Sequence, residues 1–261
     1  KNRLNFNFSK YQRVNEDYDA YNLRWHPNIW YNGNDGLKFG IELYGVYFGN
    51  KHKVNSSFWY NSQLFARENG NSSNPFSYKL DYETRIGEKM DLILSSRHLD
   101  GVILNKVGVT KNINSSSLEI FAKSINRSTR SDVNYLIYRD LWSPAEWNNT
   151  LNLKWNKKIK HFNGQSNILV STRGSYLWSS YNYARINAEY KRTLSVNKFR
   201  VRTRAFVQYG VGNYAPESKL MLAGGNNEEM MDNALVRSIG IVPKEFEGYG
   251  NTFNHLHYKG G

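Results

Sequence analysis

The sequence predicts an all-β protein, a transmembrane antiparallel β-barrel of roughly a dozen strands. Three observations carry this expectation: strict two-residue alternation of apolar and polar side chains over many short stretches, turn-forming residues between them, and an aromatic content of 15% in a chain whose mean hydropathy is only −0.69. A wall with lipid on one side and water on the other is polar on average, yet rich in Tyr and Trp where it crosses the two interfaces. Nineteen tyrosines and seven tryptophans fit that wall. Disordered chains are poor in aromatics, which argues against disorder.

The alternation is clearest in seven stretches. Phe76, Tyr78, Leu80 and Tyr82 interleave with Ser77, Lys79, Asp81 and Glu83. Leu151, Leu153 and Trp155 alternate with Asn152 and Lys154. Phe199, Val201, Thr203, Ala205, Val207 and Tyr209 stand opposite a stripe of Lys198, Arg200, Arg202 and Arg204. Ala184, Ile186, Ala188 and Tyr190 stand opposite Arg185, Asn187, Glu189 and Lys191. Leu37–Leu43, with Lys38 and Glu42 between its apolar members, Met90–Leu94 and Leu118–Ala122 follow the same rule. Weaker candidates are Leu4–Phe8, Leu23–Tyr31, Val54–Ala66, Val102–Val109, Val133–Tyr138 and Asn167–Leu177. Because successive side chains of a strand point to opposite faces, each stretch defines two sets. Phe76, Tyr78, Leu80, Tyr82, Leu151, Leu153, Trp155, Phe199, Val201 and Val207 are expected to face lipid. Lys198, Arg200, Arg202, Arg204, Arg185, Glu189, Lys79, Asp81, Glu83 and Glu42 are expected to face the lumen.

Turn chemistry separates these runs. Asn32-Gly33-Asn34-Asp35-Gly36, Asn69-Gly70-Asn71, Ile86-Gly87-Glu88 and Asp100-Gly101 supply residues that tolerate positive φ. Lys111–Ser117 and Asn126–Asp132 read as longer loops. Ser143-Pro144-Ala145-Glu146 has the N-cap, N1 and N3 residues of a short helix. The whole of 1–261 reads as a single barrel domain. After Pro216 the alternation stops, and 216–261, with Leu222–Asn233 at its centre, is expected to be a loop or plug-like excursion. The chain opens without a secretory signal pattern and ends without an aromatic-terminated strand, so it is expected to be a segment of a longer protein, with terminal strands missing.

No run of apolar residues is long enough for a membrane-spanning helix. Zero cysteines remove disulfides and thiolate metal sites. Six histidines include no His-Glu-x-x-His pair, and His255 and His257 are the one pair with strand spacing. No Gly-x-Ser-x-Gly elbow occurs, although His98 closely follows Ser95 and Ser96. The expectation is therefore no catalytic residue, no metal ligand and no cofactor in this segment. The net charge of +13 would suit a phosphate track, but acids stand among the cations on the polar sets, which favours an ion-paired lumen over nucleic acid. The expected partners are membrane lipids or lipopolysaccharide and other outer-membrane proteins, with no nucleic acid.

Two stretches carry a family resemblance. Trp30-Tyr31-Asn32-Gly33-Asn34-Asp35-Gly36-Leu37-Lys38-Phe39-Gly40 resembles a strand–turn–strand signature in outer-membrane barrels of Bacteroidota. Leu222-Ala223-Gly224-Gly225-Asn226 through Met230-Met231-Asp232-Asn233, followed by Arg237-Ser238, resembles a later loop of the same group. Its members join a domain like the gluzincin (membrane alanyl) aminopeptidases to a C-terminal barrel. The resemblance implies a zinc peptidase-like domain ahead of Lys1, so no catalytic residue carries over. It also implies a Gram-negative outer-membrane location, an anchoring role, and docking with other outer-membrane proteins as an accessory subunit of an insertion or secretion complex. Two alternatives belong to other classes. A barrel pore or lipid-acting enzyme would show bilayer conductance or His98-dependent lipid hydrolysis. A soluble basic all-β nucleic-acid-binding protein would show salt-dependent oligonucleotide affinity.

Overall fold

The computed structural model describes residues 3–8, 19–32, 35–48, 51–66, 74–99, 101–127, 145–196, 198–219 and 228. They form one twelve-stranded sheet whose order in space is the order in sequence. Its strands are β1 (Arg3–Phe8), β2 (Ala20–Asn32), β3 (Gly36–Tyr47), β4 (Lys51–Asn61), β5 (Phe76–Gly87), β6 (Met90–Leu99), β7 (Val102–Ile113), β8 (Ser116–Arg127), β9 (Trp147–His161), β10 (Gly164–Ser175), β11 (Asn182–Val196) and β12 (Phe199–Asn213). All neighbours from β2 to β12 pair antiparallel. The expected all-β class is present.

Two features set this sheet apart from a closed, wholly antiparallel barrel. Among the described residues β12 and β1 do not pair, so the sheet is open. β1 also runs parallel to β2, with Leu4 opposite Tyr21 and Phe8 opposite Trp25. Phe6 stacks on Trp25 at 6.1 Å and Phe8 meets it edge-on at 5.1 Å. The alternation in Leu4–Phe8 fixes which side faces which way but carries no information about strand direction.

Several local expectations need correcting. Lys111–Ser117 is not a loop: β7 runs to Ile113, Asn114-Ser115 forms a two-residue turn, and β8 begins at Ser116. Ile113 is the one apolar residue between Lys111 and Ser117, too few for hydropathy to show a period. Val54–Ala66 ends as a strand at Asn61. No helix starts at Ala145-Glu146; Ala145 has φ +60°, in the left-handed region, and β9 follows directly. Ser143, Pro144, Val133–Tyr138, Asn69–Asn71 and all of 229–261 lie outside the described residues.

The connections sort by length to opposite ends of the sheet. From β3 on, every connection at one end is two or three residues long, at 48–50, 88–89, 114–115, 162–163 and 197–198. The other carries the short turns 33–35 and 100–101 together with the longer connections 62–75, 128–146 and 176–181. At that end the β2–β3 turn is tied to the chain after β4: the Leu37 and Gln63 amides donate to the carbonyls of Leu64 and Asp35 at 2.8 and 3.0 Å. Gly36 makes this approach feasible, since it has φ +69° and a Cβ there would lie 2.3 Å from the Leu64 carbonyl oxygen. Gly36→Ala is expected to destabilise the protein by about 2 kcal/mol or more through left-handed strain plus this clash, read as a lower urea midpoint at unchanged slope.

Candidate functional site

Register divides the sheet into two faces. On one, apolar side chains form cross-strand rows. Val54, Tyr82, Leu94, Val107, Ala122 and Leu151 are successive partners from β4 to β9. Leu118, Trp155, Val170, Ala188 and Val207 continue from β8 to β12. These rows are not covered: Leu94 is 38% exposed, Val107 49%, Leu151 54% and Val207 63%. Phe76, Tyr78, Leu80, Tyr82, Leu151, Leu153, Trp155, Phe199, Val201 and Val207, grouped from the sequence, all fall on this face. Along β5 an aromatic pair at Phe76 and Tyr78 gives way to Leu80 and then to Tyr82. His98 also lies here, its ring 6.1 Å from Tyr78. Ser95 points to the other face and donates to Asp81 at 2.6 Å, while Ser96 donates to Asn105 at 2.7 Å.

The opposite face collects the charges. Arg185, Glu189, Arg200, Arg202, Arg204, Lys79, Asp81, Glu83 and Glu42 all lie on it by register; Lys198 falls in the exposed β11–β12 turn. Most are paired. Glu189 receives Arg204 at 2.5 Å and Lys191 at 3.0 Å. Asp81 receives Arg97 at 3.2 Å with Lys79 at 3.7 Å. Glu83 pairs with Lys53 at 3.2 Å, and Glu42 accepts from Asn28 at 3.0 Å.

The densest site on this face was not anticipated from the sequence. Glu228 sits over β8–β10, and both carboxylate oxygens are filled. Arg173 grips it with two parallel hydrogen bonds of 2.7 and 2.8 Å. Lys123 donates to one oxygen, and the Ser218 hydroxyl donates to the other at 2.6 Å. Around this core Asn152 accepts from Arg173 at 2.6 Å, Asn148 donates to Glu217 and Ser218 at 2.9 and 3.0 Å, and Arg185 donates to the Ser218 carbonyl at 2.5 Å. Burial would raise the Glu228 carboxyl, but the guanidinium of Arg173 and the ammonium of Lys123 overcome it and hold the carboxyl well below the usual carboxylate range. The 3-10 turn Pro216–Ser218 delivers Glu217 and Ser218 to the cluster. Of the 216–261 excursion only 216–219 and 228 are described, and of these Glu217, Ser218 and Glu228 lie against the polar face. Lys123 and Arg173 occupy polar positions in alternating stretches; their partner lies 105 and 55 residues away, beyond the reach of any local signal.

A second buried pair lies at the β2–β3 turn, inside the Trp30–Gly40 motif. Asp35 and Lys38 are both 0% exposed and form an ion pair. The Lys38 ammonium stands 4.7 Å over the Trp30 ring and 3.4 Å from the Ser77 hydroxyl. Trp30 meets Trp59 edge-on at 6.1 Å.

Among the described residues no three His, Asp or Glu side chains gather as metal ligands; His255 and His257 lie outside them. What this arrangement can do chemically is present a broad apolar surface on one side and fix an internal segment by charge on the other. No protein-family model matches the chain, and no curated protein matches it either.

Proposed function

We propose that this chain is the wall of an outer-membrane β-barrel, its apolar face turned to lipid and its charged face turned to a lumen partly occupied by the segment bearing Glu228. The observation that carries this reading is the continuity of uncovered apolar rows across β4–β12. A soluble protein rarely leaves contiguous apolar surface of this extent open to water. The strands have the right reach: a twelve-residue strand at about 3.4 Å per residue, tilted by about 40°, rises roughly 30 Å, the thickness of a bilayer core. Closure would then come from pairing beyond the described residues. Short turns gather at one end, as they do on the periplasmic side of such barrels.

The role follows from the family resemblance: the barrel anchors a gluzincin-like peptidase domain, lies among phospholipid and lipopolysaccharide in a Gram-negative outer membrane, and docks with other outer-membrane proteins of an insertion or secretion complex. Fractionation and a gel run with and without boiling test the membrane reading. Recovery in the outer-membrane fraction with heat-dependent migration supports it; recovery as a detergent-free soluble monomer ends it.

A substitution discriminates the environment directly. Ile120 is ringed on its face by Leu118, Ala122, Val109 and Leu153. Ile120→Arg is expected to cost about 2–4 kcal/mol if lipid surrounds it, and no more than about 0.5 kcal/mol if water does. Urea unfolding in detergent or lipid vesicles reads the difference.

A further inference from the structure

The polar face neutralises its charges nearly everywhere except at the short-turn end of β9–β12. There Lys160 pairs in register with Gln165, Gln165 with Thr193, and Thr193 with Arg202, one row across four strands. Ser195 and Arg200 form the next pair toward the turn. These six residues line a single cavity of about 600 Å³. Among the described residues none of Lys160, Arg200 and Arg202 has a carboxylate partner, and the acid of this neighbourhood, Glu189, is held by Arg204 and Lys191. The next row back, Lys158–Asn167–Lys191–Arg204, adds further positive charge.

Like charges concentrated this way repel one another, and a bound anion relieves that repulsion. The donor set specifies which anion. Two guanidiniums present planar forks that match phosphate oxygens, the ammonium adds a mobile point charge, and Thr193, Ser195 and Gln165 supply neutral donors between them. Lys160 and Arg202 stand three strands apart, about 14 Å at roughly 4.8 Å per strand, a span for an extended anion with more than one charged group. We propose that this cavity binds a phosphate-bearing polyanion carrying at least two phosphate charges, either a soluble diphosphate or a phosphorylated headgroup reaching over the rim. The site depends on the polar face alone and stands whether or not the opposite face meets lipid.

The test is calorimetric titration of the full chain with sodium pyrophosphate at low ionic strength, alongside thermal melts. Saturable binding that raises the melting temperature, weakens with added salt and exceeds that of orthophosphate is expected. The double variant Arg200→Gln/Arg202→Gln is expected to lose about tenfold or more in affinity. Arg202→Lys, which keeps charge but not the fork, should fall between. The double variant Lys53→Gln/Arg85→Gln removes the same charge from β4 and β5 and should bind like the parent. Arg85, Arg200 and Arg202 are exposed and Lys53 is half-buried, so melts without ligand verify folding of each variant. Competition by vesicles carrying a lipid diphosphate, but not by phosphatidylcholine vesicles, assigns the headgroup source; pyrophosphate binding that such vesicles do not displace assigns a soluble ligand. Absence of saturable pyrophosphate binding, or equal losses in the two double variants, overturns the proposal.

Discussion

Glu228→Gln is expected to cost about 3 kcal/mol and to undock Glu228 from the polar face, because it leaves Lys123 and Arg173 buried without their counter-charge. The glutamine is close in size and still offers one acceptor, so the loss reports charge more than shape. Trypsin cleavage after Lys219 should accelerate in the variant. Lys123→Met should cost less, since the bidentate grip of Arg173 and the Ser218 hydrogen bond both remain on the carboxylate. Unchanged proteolysis and stability in Glu228→Gln would show that the cluster fastens nothing. The pH dependence has a definite sign. Arg173 and Lys123 outweigh burial and depress the native carboxyl below its ordinary value of 4.5. The stabilisation is therefore complete above the ordinary carboxylate range and is lost only as pH falls through the depressed native value. The difference in melting temperature between the parent and Glu228→Gln should stay level from neutrality to about pH 5 and shrink only under stronger acid.

That cluster marks where the sequence ceases to be informative. Alternation in Phe76–Glu83 and Phe199–Tyr209 is a local property, because a strand displays its two environments every second residue, and it located most of the sheet and sorted its faces. The Asn114-Ser115 turn escaped because Ile113 is the one apolar residue between Lys111 and Ser117, too few for alternation to show. The parallel course of β1 escaped because alternation has no direction. Lys123 and Arg173 looked like any other polar-face cations, and Glu228 lay in a stretch with no period at all. Asp35 read as a turn residue tolerant of unusual φ, and nothing in Asn32–Gly36 showed that it would be fully buried. The contacts that matter most here join residues far apart in the chain, and their pairing is set by the folded sheet.

Asp35 provides the second large effect. Lys38→Ala is expected to destabilise the protein by about 3–5 kcal/mol, since the carboxylate of Asp35 then stays fully buried without the ammonium that offsets its desolvation. Asp35→Ala should cost a similar amount for the mirror-image reason. If the pair contributes specificity more than stability, Asp35→Leu/Lys38→Met should lose less than either single change, because removing both charges removes both desolvation penalties. Urea midpoints at constant slope measure all three variants. Trp30 is a built-in reporter: the Lys38 ammonium lies over its ring, so its fluorescence should shift in both Lys38 variants. Greatest damage from the double change would overturn this role for the pair. A smaller loss in the double variant would assign the pair a positional task. It would hold the β2–β3 turn against residues 61–66, where the Gln63 amide reaches the Asp35 carbonyl and Asn61 and Ser77 hydrogen-bond alongside at 3.0 Å. In that case the double variant should stay folded while protease sensitivity rises at Phe65 and Ala66, next to the contact that fixes the turn.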